Sequence, residues 1–295
     1  MLDEARSGRL AAWGNALFAG LVSPDEAAER IVGEDDVHRV ADCPGEQGGV
    51  PVGLTFALGR LRSQGVAGLR LALPVPGHPL GLSGPPEFNS RALEAGEAVL
   101  APEAGLGLVP EVHRAGPEGG AEGASVDEAD VHVEVVWRCL PVREGPPADV
   151  PSLAEAEREL SEAMRDAVEA LTELDVAGSG PVADAALEAY RARAEAGREL
   201  LAPGYPQRAV RVLELAQRVR ALIAIAHGEE PAGAAGGGAG VREGGRPDGR
   251  EHGGALSASA INARAEALRP VERTARRAQV AAYDAYAEEM ARRRS

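Results

Sequence analysis

The chain has 295 residues, including 57 alanines, 37 glycines and 21 prolines, and all 31 of its basic residues are arginine. Without lysine there is no ε-amine for Schiff-base or pyridoxal phosphate chemistry, for the phosphate grip of P-loop and kinase sites, or for a lysine-linked prosthetic group. The formal charge of −15, most of it carried by residues 1–150, and a total of nine aromatic residues weigh against nucleic-acid binding by the first half and against base-stacking platforms, so nucleic acid is not an expected partner.

In chain order, a helix is predicted from Asp3 to Ala19, with Leu10, Trp13, Leu17 and Leu21 along one face. Ser23-Pro24-Asp25-Glu26 starts a second helix, with an N-cap hydroxyl, a proline in the first turn and a glutamate placed to close a capping box; Gly33 ends it. Val37–Ala41 is a short strand. Leu54, Ala57, Leu58 and Leu61 mark a helical face, Gly65 suits a left-handed terminus, and Leu69, Leu71, Leu73 and Val75 alternate as a strand. A Pro/Gly-rich loop over 74–86 leads into a helix that opens at Pro85-Pro86-Glu87 and reaches Ala95. Weaker strands are predicted at Ala98–Leu100 and Leu106–Val109. A Gly/Glu-rich loop from Ala115 to Asp130 follows. Val131, Val133, Val135, Trp137 and Cys139 then alternate with His132, Glu134, Val136 and Arg138, a largely polar set, as in an antiparallel strand with one wet face.

Glu144–Pro151, rich in proline, is a change in composition that suggests a linker. Every signal beyond it is helical. Ser152-Leu153-Ala154-Glu155 is a second capping box, followed by a stripe at Leu160, Met164, Val168 and Leu171. Residues 182–201 give a weaker helix and Gln207–His227 a strongly apolar one. The glycine-rich stretch 228–255 has almost no large apolar side chain and is expected to be a flexible, disordered loop. A last helix over 256–292 carries Leu268, Val271, Ala275, Ala278, Ala282 and Ala285 at three-four spacing, a seam that allows close helix approach. Pro270 is a point where it could kink.

The expected fold class is therefore α+β: a small mixed α/β domain over 1–143, a linker over 144–151, and an all-α helical-bundle domain over 152–295 interrupted by the loop at 228–255. Cys43 and Cys139 are too few for a thiolate zinc site or an iron–sulfur cluster, and suggest a buried thiol in a reducing cytosol. No signal peptide or membrane span is evident, so a cytoplasmic location is expected.

The six histidines include no His-Glu-x-x-His and no pair at i, i+4 on a helix, so neither a metal nor a cofactor is expected. The loop at 76–89 is the most ligand-like place, because it follows a strand and precedes a helix N-terminus where free N–H groups can receive an anion; His78, Ser83, Glu87 and Asn89 would supply the contacts. Its glycines miss both the dinucleotide fingerprint and the nucleophile-elbow spacing. Arg269, Arg273, Arg276 and Arg277 share a helical face and Arg292–Arg294 lie near the end of the last helix, yet Glu266, Glu272, Asp284, Glu288 and Glu289 interleave, as on a solvated, salt-bridged helix. The leading expectation is a non-catalytic interaction or scaffold protein acting through its C-terminal helices, with a protein partner or self-association through helix 256–292. The alternative is an α/β domain that binds or hydrolyses a small anionic metabolite at the 76–89 loop.

Overall fold

The computed structural model describes residues 5–44, 50–116, 131–143, 145, 147–173, 201–227 and 258–294. The expected loop at 228–255, and all but the last residue of the helix expected over 182–201, lie outside the described residues. In chain order the elements are α1 (Arg6–Phe18), α2 (Pro24–Val32), β1 (Val37–Ala41), β2 (Val52–Gly53), α3 (Leu54–Ser63), β3 (Arg70–Ala72), α4 (Pro86–Ala95), β4 (Ala98–Ala101), a 3-10 turn (Pro102–Ala104), β5 (Leu106–Ala115), β6 (His132–Pro141), α5 (Leu153–Glu173), α6 (Gln207–His227) and α7 (Ala258–Arg294).

The helix starts follow from their caps. Ser23 Oγ accepts the Glu26 N–H at 3.1 Å ahead of Pro24. Ser152 and Glu155 complete a reciprocal box, the Ser152 N–H donating to Glu155 Oε2 at 3.0 Å and the Glu155 N–H to Ser152 Oγ at 3.3 Å.

The six strands form one mixed sheet in the order β2-β1-β6-β5-β4-β3. β1 runs parallel to β6, and the other pairs are antiparallel. β6 lies between β1 and β5, so both its edges are paired, and Val136 is buried as well as Val135 and Trp137. One face carries Ala72, Ala98, Leu100 and Val109 and is closed by Phe88 and Ala92 of α4. α1 and α3 also contact the sheet, α1 at β3 and β4 and α3 at β1 and β2.

The chain divides into two compact units. A sheet unit draws on Glu4–Ala156, Glu199–Leu213 and Arg277–Ser295, and a helical unit draws mainly on Glu157–Arg198 and Glu214–Arg276. This corrects the expected fold class. The first part is α/β, with a six-stranded mixed sheet, but the second half is not a self-contained all-α bundle. The start of α6 and the end of α7 belong with the sheet, and α7 is continuous through Pro270. The physical reason is that an alanine seam specifies only close approach; a strand edge satisfies it as well as another helix does.

The outer edge of β3 shows how. β3 pairs with β4 on one side only. On the other side Leu69 N–H donates to Asn15 Oδ1 at 2.6 Å, Leu71 N–H to Asp284 Oδ1 at 2.7 Å, Leu73 N–H to the Leu80 carbonyl at 3.0 Å and Val75 N–H to the His78 carbonyl at 3.0 Å. Each alternate donor of an edge that would otherwise attract a foreign strand is thus occupied. Gly81 makes the returning loop possible: at φ 91° it lies so close to the strand that a Cβ would stand 2.6 Å from the Leu71 carbonyl oxygen. Asn15→Ala would leave both Leu69 backbone groups without partners. It should lower unfolding free energy by about 2–4 kcal/mol in urea denaturation, whereas an exposed control such as Ser90→Ala should change little.

Candidate functional site

A chain of buried polar groups runs along this edge. Asn15 Nδ2 donates to the Leu69 carbonyl at 3.1 Å and to Tyr205 Oη at 3.2 Å, so one amide imitates a neighbouring strand. Tyr205 in turn donates to the Tyr283 carbonyl at 3.0 Å, and its ring lies 5.3 Å from that of Tyr286. Burial pushes the Tyr205 hydroxyl well above its ordinary pKa, against the lowering hydrogen bond from Asn15. α7 reaches the sheet closely enough that a Cβ on Gly68 would stand 2.9 Å from that of Ala287.

Asp284 is 1% exposed, and Oδ2 has no hydrogen-bond partner. Burial pushes its carboxyl up to about 7; the Leu71 N–H and the Arg70 charge pull it down, while Glu288 adds to the rise. The expectation of a solvated acid at this position is corrected, because Asp284 is turned onto a strand. The visible signal was its place in Val280-Ala281-Ala282-Tyr283-Asp284-Ala285-Tyr286-Ala287, a small and apolar run with one acid.

The 76–89 loop lies along the same edge. Val75 and His78 exchange backbone hydrogen bonds, Gly81 N–H donates to the Ala148 carbonyl at 2.8 Å, and Leu80 and Leu82 are buried. His78 is 6% exposed, and its Nε2 contacts Asp149 Oδ2. Arg277 Nε lies 3.3 Å from Asp149 Oδ1. Asn89 Oδ1 accepts the Gly84 N–H at 3.2 Å, Ser83 is half-buried, and Glu87 is exposed on the first turn of α4. His78 and Asn89 therefore both hold the loop in shape. The four residues do not line either cavity described below.

The remaining described histidines lie elsewhere. His38 on β1 is buried: Trp137 Nε1–H donates to its Nδ1 at 3.3 Å, which leaves the proton on Nε2, 3.0 Å from Asp35 Oδ2. Asp35 also accepts from Arg6 at 2.7 and 2.9 Å and from Arg9 at 2.9 Å. Burial alone would raise Asp35, but the hydrogen bonds from His38 and Arg6 and the charges of Arg6 and Arg9 outweigh it and hold the carboxyl far below its ordinary range. Burial lowers His38, against the pull of Asp35. His132 lies 3.2 Å from Asp36, and His113 is exposed on β5. β4, β5 and β6 thus separate β1 from the β3 edge where His78 sits. Among the described residues no group of His, Cys, Asp and Glu could hold a metal ion. Cys43 and Cys139 are joined as a disulfide, which corrects the expected free thiol; their sequence separation of 96 conveys nothing until β1 lies beside β6.

Two cavities complete the geometry. One, of about 10 Å³, is pinched between Cys43, Pro44 and α3. The other is an open groove of about 520 Å³ in the helical unit, lined by Ser161, Met164, Arg165 and Glu169 of α5 and Leu215 of α6. Among the described residues no helix is long and apolar enough to cross a membrane.

Asp284 carries a pH signature. Its folded pKa is raised from 3.8 to about 7, so the stability it contributes is fully present below about pH 4 and is lost as pH rises through 7. Asp284→Asn keeps an acceptor for Leu71 and removes the buried charge. The variant should be more stable than the parent by roughly 1–3 kcal/mol at pH 8, with the gap closing near pH 4, in denaturation followed across pH.

Two family models match the chain: one described as the N-terminal domain of Rv1486c-like protein over residues 7–155, and one described as its C-terminal domain over residues 154–244. The chain is 30% identical over 241 residues to "Uncharacterized protein Rv1486c" of Mycobacterium tuberculosis (strain ATCC 25618 / H37Rv), covering 74% of this chain and 82% of that one. It is 30% identical over 165 residues to "Uncharacterized protein MAV321" of Mycobacterium avium, covering 54% and 53% of the two chains. It is 31% identical over 173 residues to "Uncharacterized protein ML1804" of Mycobacterium leprae (strain TN), covering 56% and 57%. No solved structure matches the chain.

Proposed function

We propose that this chain, which belongs to the Rv1486c-like protein family, is a non-enzymatic interaction protein that acts by self-association through its C-terminal helices. The observation that carries this reading is the groove between α5 and α6. Met164 and Leu215 are half-buried at its wall, and Arg165 and Glu169 stand exposed at its rim. A contact between two copies related by a two-fold axis must be self-complementary. Arg165 and Glu169, one helical turn apart and opposite in charge, meet that requirement when α5 of one copy lies antiparallel to α5 of the other, with methionine and leucine beneath. The later part of the alanine seam is not offered for this purpose, since Ala278, Ala282 and Ala285 are buried in a stretch that belongs with the sheet.

Sedimentation equilibrium of the full chain tests the reading. The parent should be dimeric at micromolar concentration, and Met164→Glu with Leu215→Glu should shift it to monomer without changing the melting of the sheet unit. A parent that stays monomeric at tens of micromolar overturns it. Removal of residues 277–295 should instead unfold the sheet unit, because Leu71 loses its acceptor and Gly68 its cover.

The alternative reading, an anionic ligand at the 76–89 loop, is favoured by one feature: Arg277 beside the His78–Asp149 contact. Inorganic phosphate should then raise the melting temperature, and His78→Ala should abolish the rise. The absence of any shift at millimolar phosphate counts against it.

A further inference from the structure

The Cys43–Cys139 bridge lies at a place where the sheet does not need it. Val37–Ala41 of β1 already pair in register with Glu134–Arg138 of β6, so the strands are held by their own ladder. Just beyond β1, Asp42 takes a left-handed backbone at φ 62°, and its carboxylate accepts from Arg138 Nη1 at 3.0 Å. This turn brings Cys43 over Cys139, with Cα atoms 5.1 Å apart, inside the range that a disulfide spans. Cys139 is buried, whereas Cys43 is half-buried and within reach of a small reagent.

What the bridge fixes is the chain that follows the strand. The Pro44 carbonyl accepts from Arg60 Nη2 of α3 at 2.8 Å. Cys43 and Pro44 wall the small cavity with Ala57, Arg60 and Leu61 of that helix and Gln64 just past its end. The neighbouring β2 is only two residues long and is held to β1 by the pairs Arg39 with Gly53 and Val40 with Val52. α3 is seated by Leu54, Ala57, Leu58 and Leu61, all buried, while its outer face and the chain before it carry two exposed apolar side chains, Phe56 at 60% and Val50 at 69%.

We propose that Cys43 and Cys139 form a reversible redox clasp that sets how firmly β2 and α3 are held against the rest of the sheet. In oxidation by a small disulfide such as oxidised glutathione, the Cys43 thiolate attacks one sulfur and releases a first small thiol. The Cys139 thiolate then attacks the Cys43 sulfur of the mixed disulfide and releases a second. Two electrons pass from the protein thiols to the reagent, and the two protein protons end on the released thiols. Two equivalents of a small thiol reverse the sequence. In a reducing compartment such a bond is transient, which suits a switch rather than a permanent staple. Opening it leaves Pro44 tied to α3 by the Arg60 contact and β2 tied to β1 by two residue pairs, while the buried face of α3 keeps its packing.

The test uses the full chain equilibrated over a range of reduced to oxidised glutathione ratios. Free thiols are trapped by alkylation and counted by intact mass, and amide hydrogen exchange is followed over residues 50–64. The expected result is reversible loss and recovery of two thiols within one monomer. Exchange over 50–64 should be about fivefold or more faster in the reduced form, and melting should fall by roughly 5–10 °C. Cys43→Ser, at the more exposed position, should match the reduced parent under all ratios. The proposal is overturned if the thiols stay free at the most oxidising ratio, if native protein resists excess dithiol, or if exchange over 50–64 is the same in both forms.

Discussion

A strand at the border of a sheet carries a row of backbone donors that water or protein must satisfy, and the outer edge of β3 is where this requirement organises the sheet unit. Four donors spaced two residues apart find four partners of three kinds: the amide of Asn15, the carboxylate of Asp284 and the backbone carbonyls of Leu80 and His78. These partners come from α1, from the end of α7 and from the loop after β3, so satisfying one edge fixes three remote segments. Tyr205 joins the first two by linking Asn15 to the Tyr283 carbonyl.

Two buried aspartates show how context decides charge. Asp35 is surrounded by Arg6, Arg9 and His38 and stays ionised despite burial, because opposite charge and donors outweigh desolvation. Asp284 has one backbone donor and an unpartnered oxygen, and there desolvation wins. The first is a fixed ionic knot between α1 and the start of β1. The second is a contact whose strength changes near neutral pH, on the segment that ties α7 to the sheet.

Local structure was largely legible because its causes are local. The hydroxyl cap at Ser23 and the box at Ser152 and Glu155 each act within a few residues, and the helices begin where those signals place them. The site was much less legible. Asn15 lies between the stripe residues of α1 and has no sequence mark that separates it from a surface asparagine. His78 and Asn89 have the polar chemistry of ligand contacts, and both make hydrogen bonds that shape their own loop. Asp149 and Arg277, which complete the contact at His78, are 128 residues apart.

The sequence by itself determined the absence of amine chemistry, the helices and strands with strong caps or strict alternation, and an alanine seam that had to pack closely against something. Only the tertiary structure decided what that something was. A seam of small side chains states a distance of approach and not a partner, so whether α7 joined a bundle or a sheet depended on which surface had donors left to satisfy. The same holds for the cysteines and the histidines. Sheet order brings Cys43 to Cys139 and sets three strands between His38 and His78, and strand order is a property of the whole chain that no local pattern encodes.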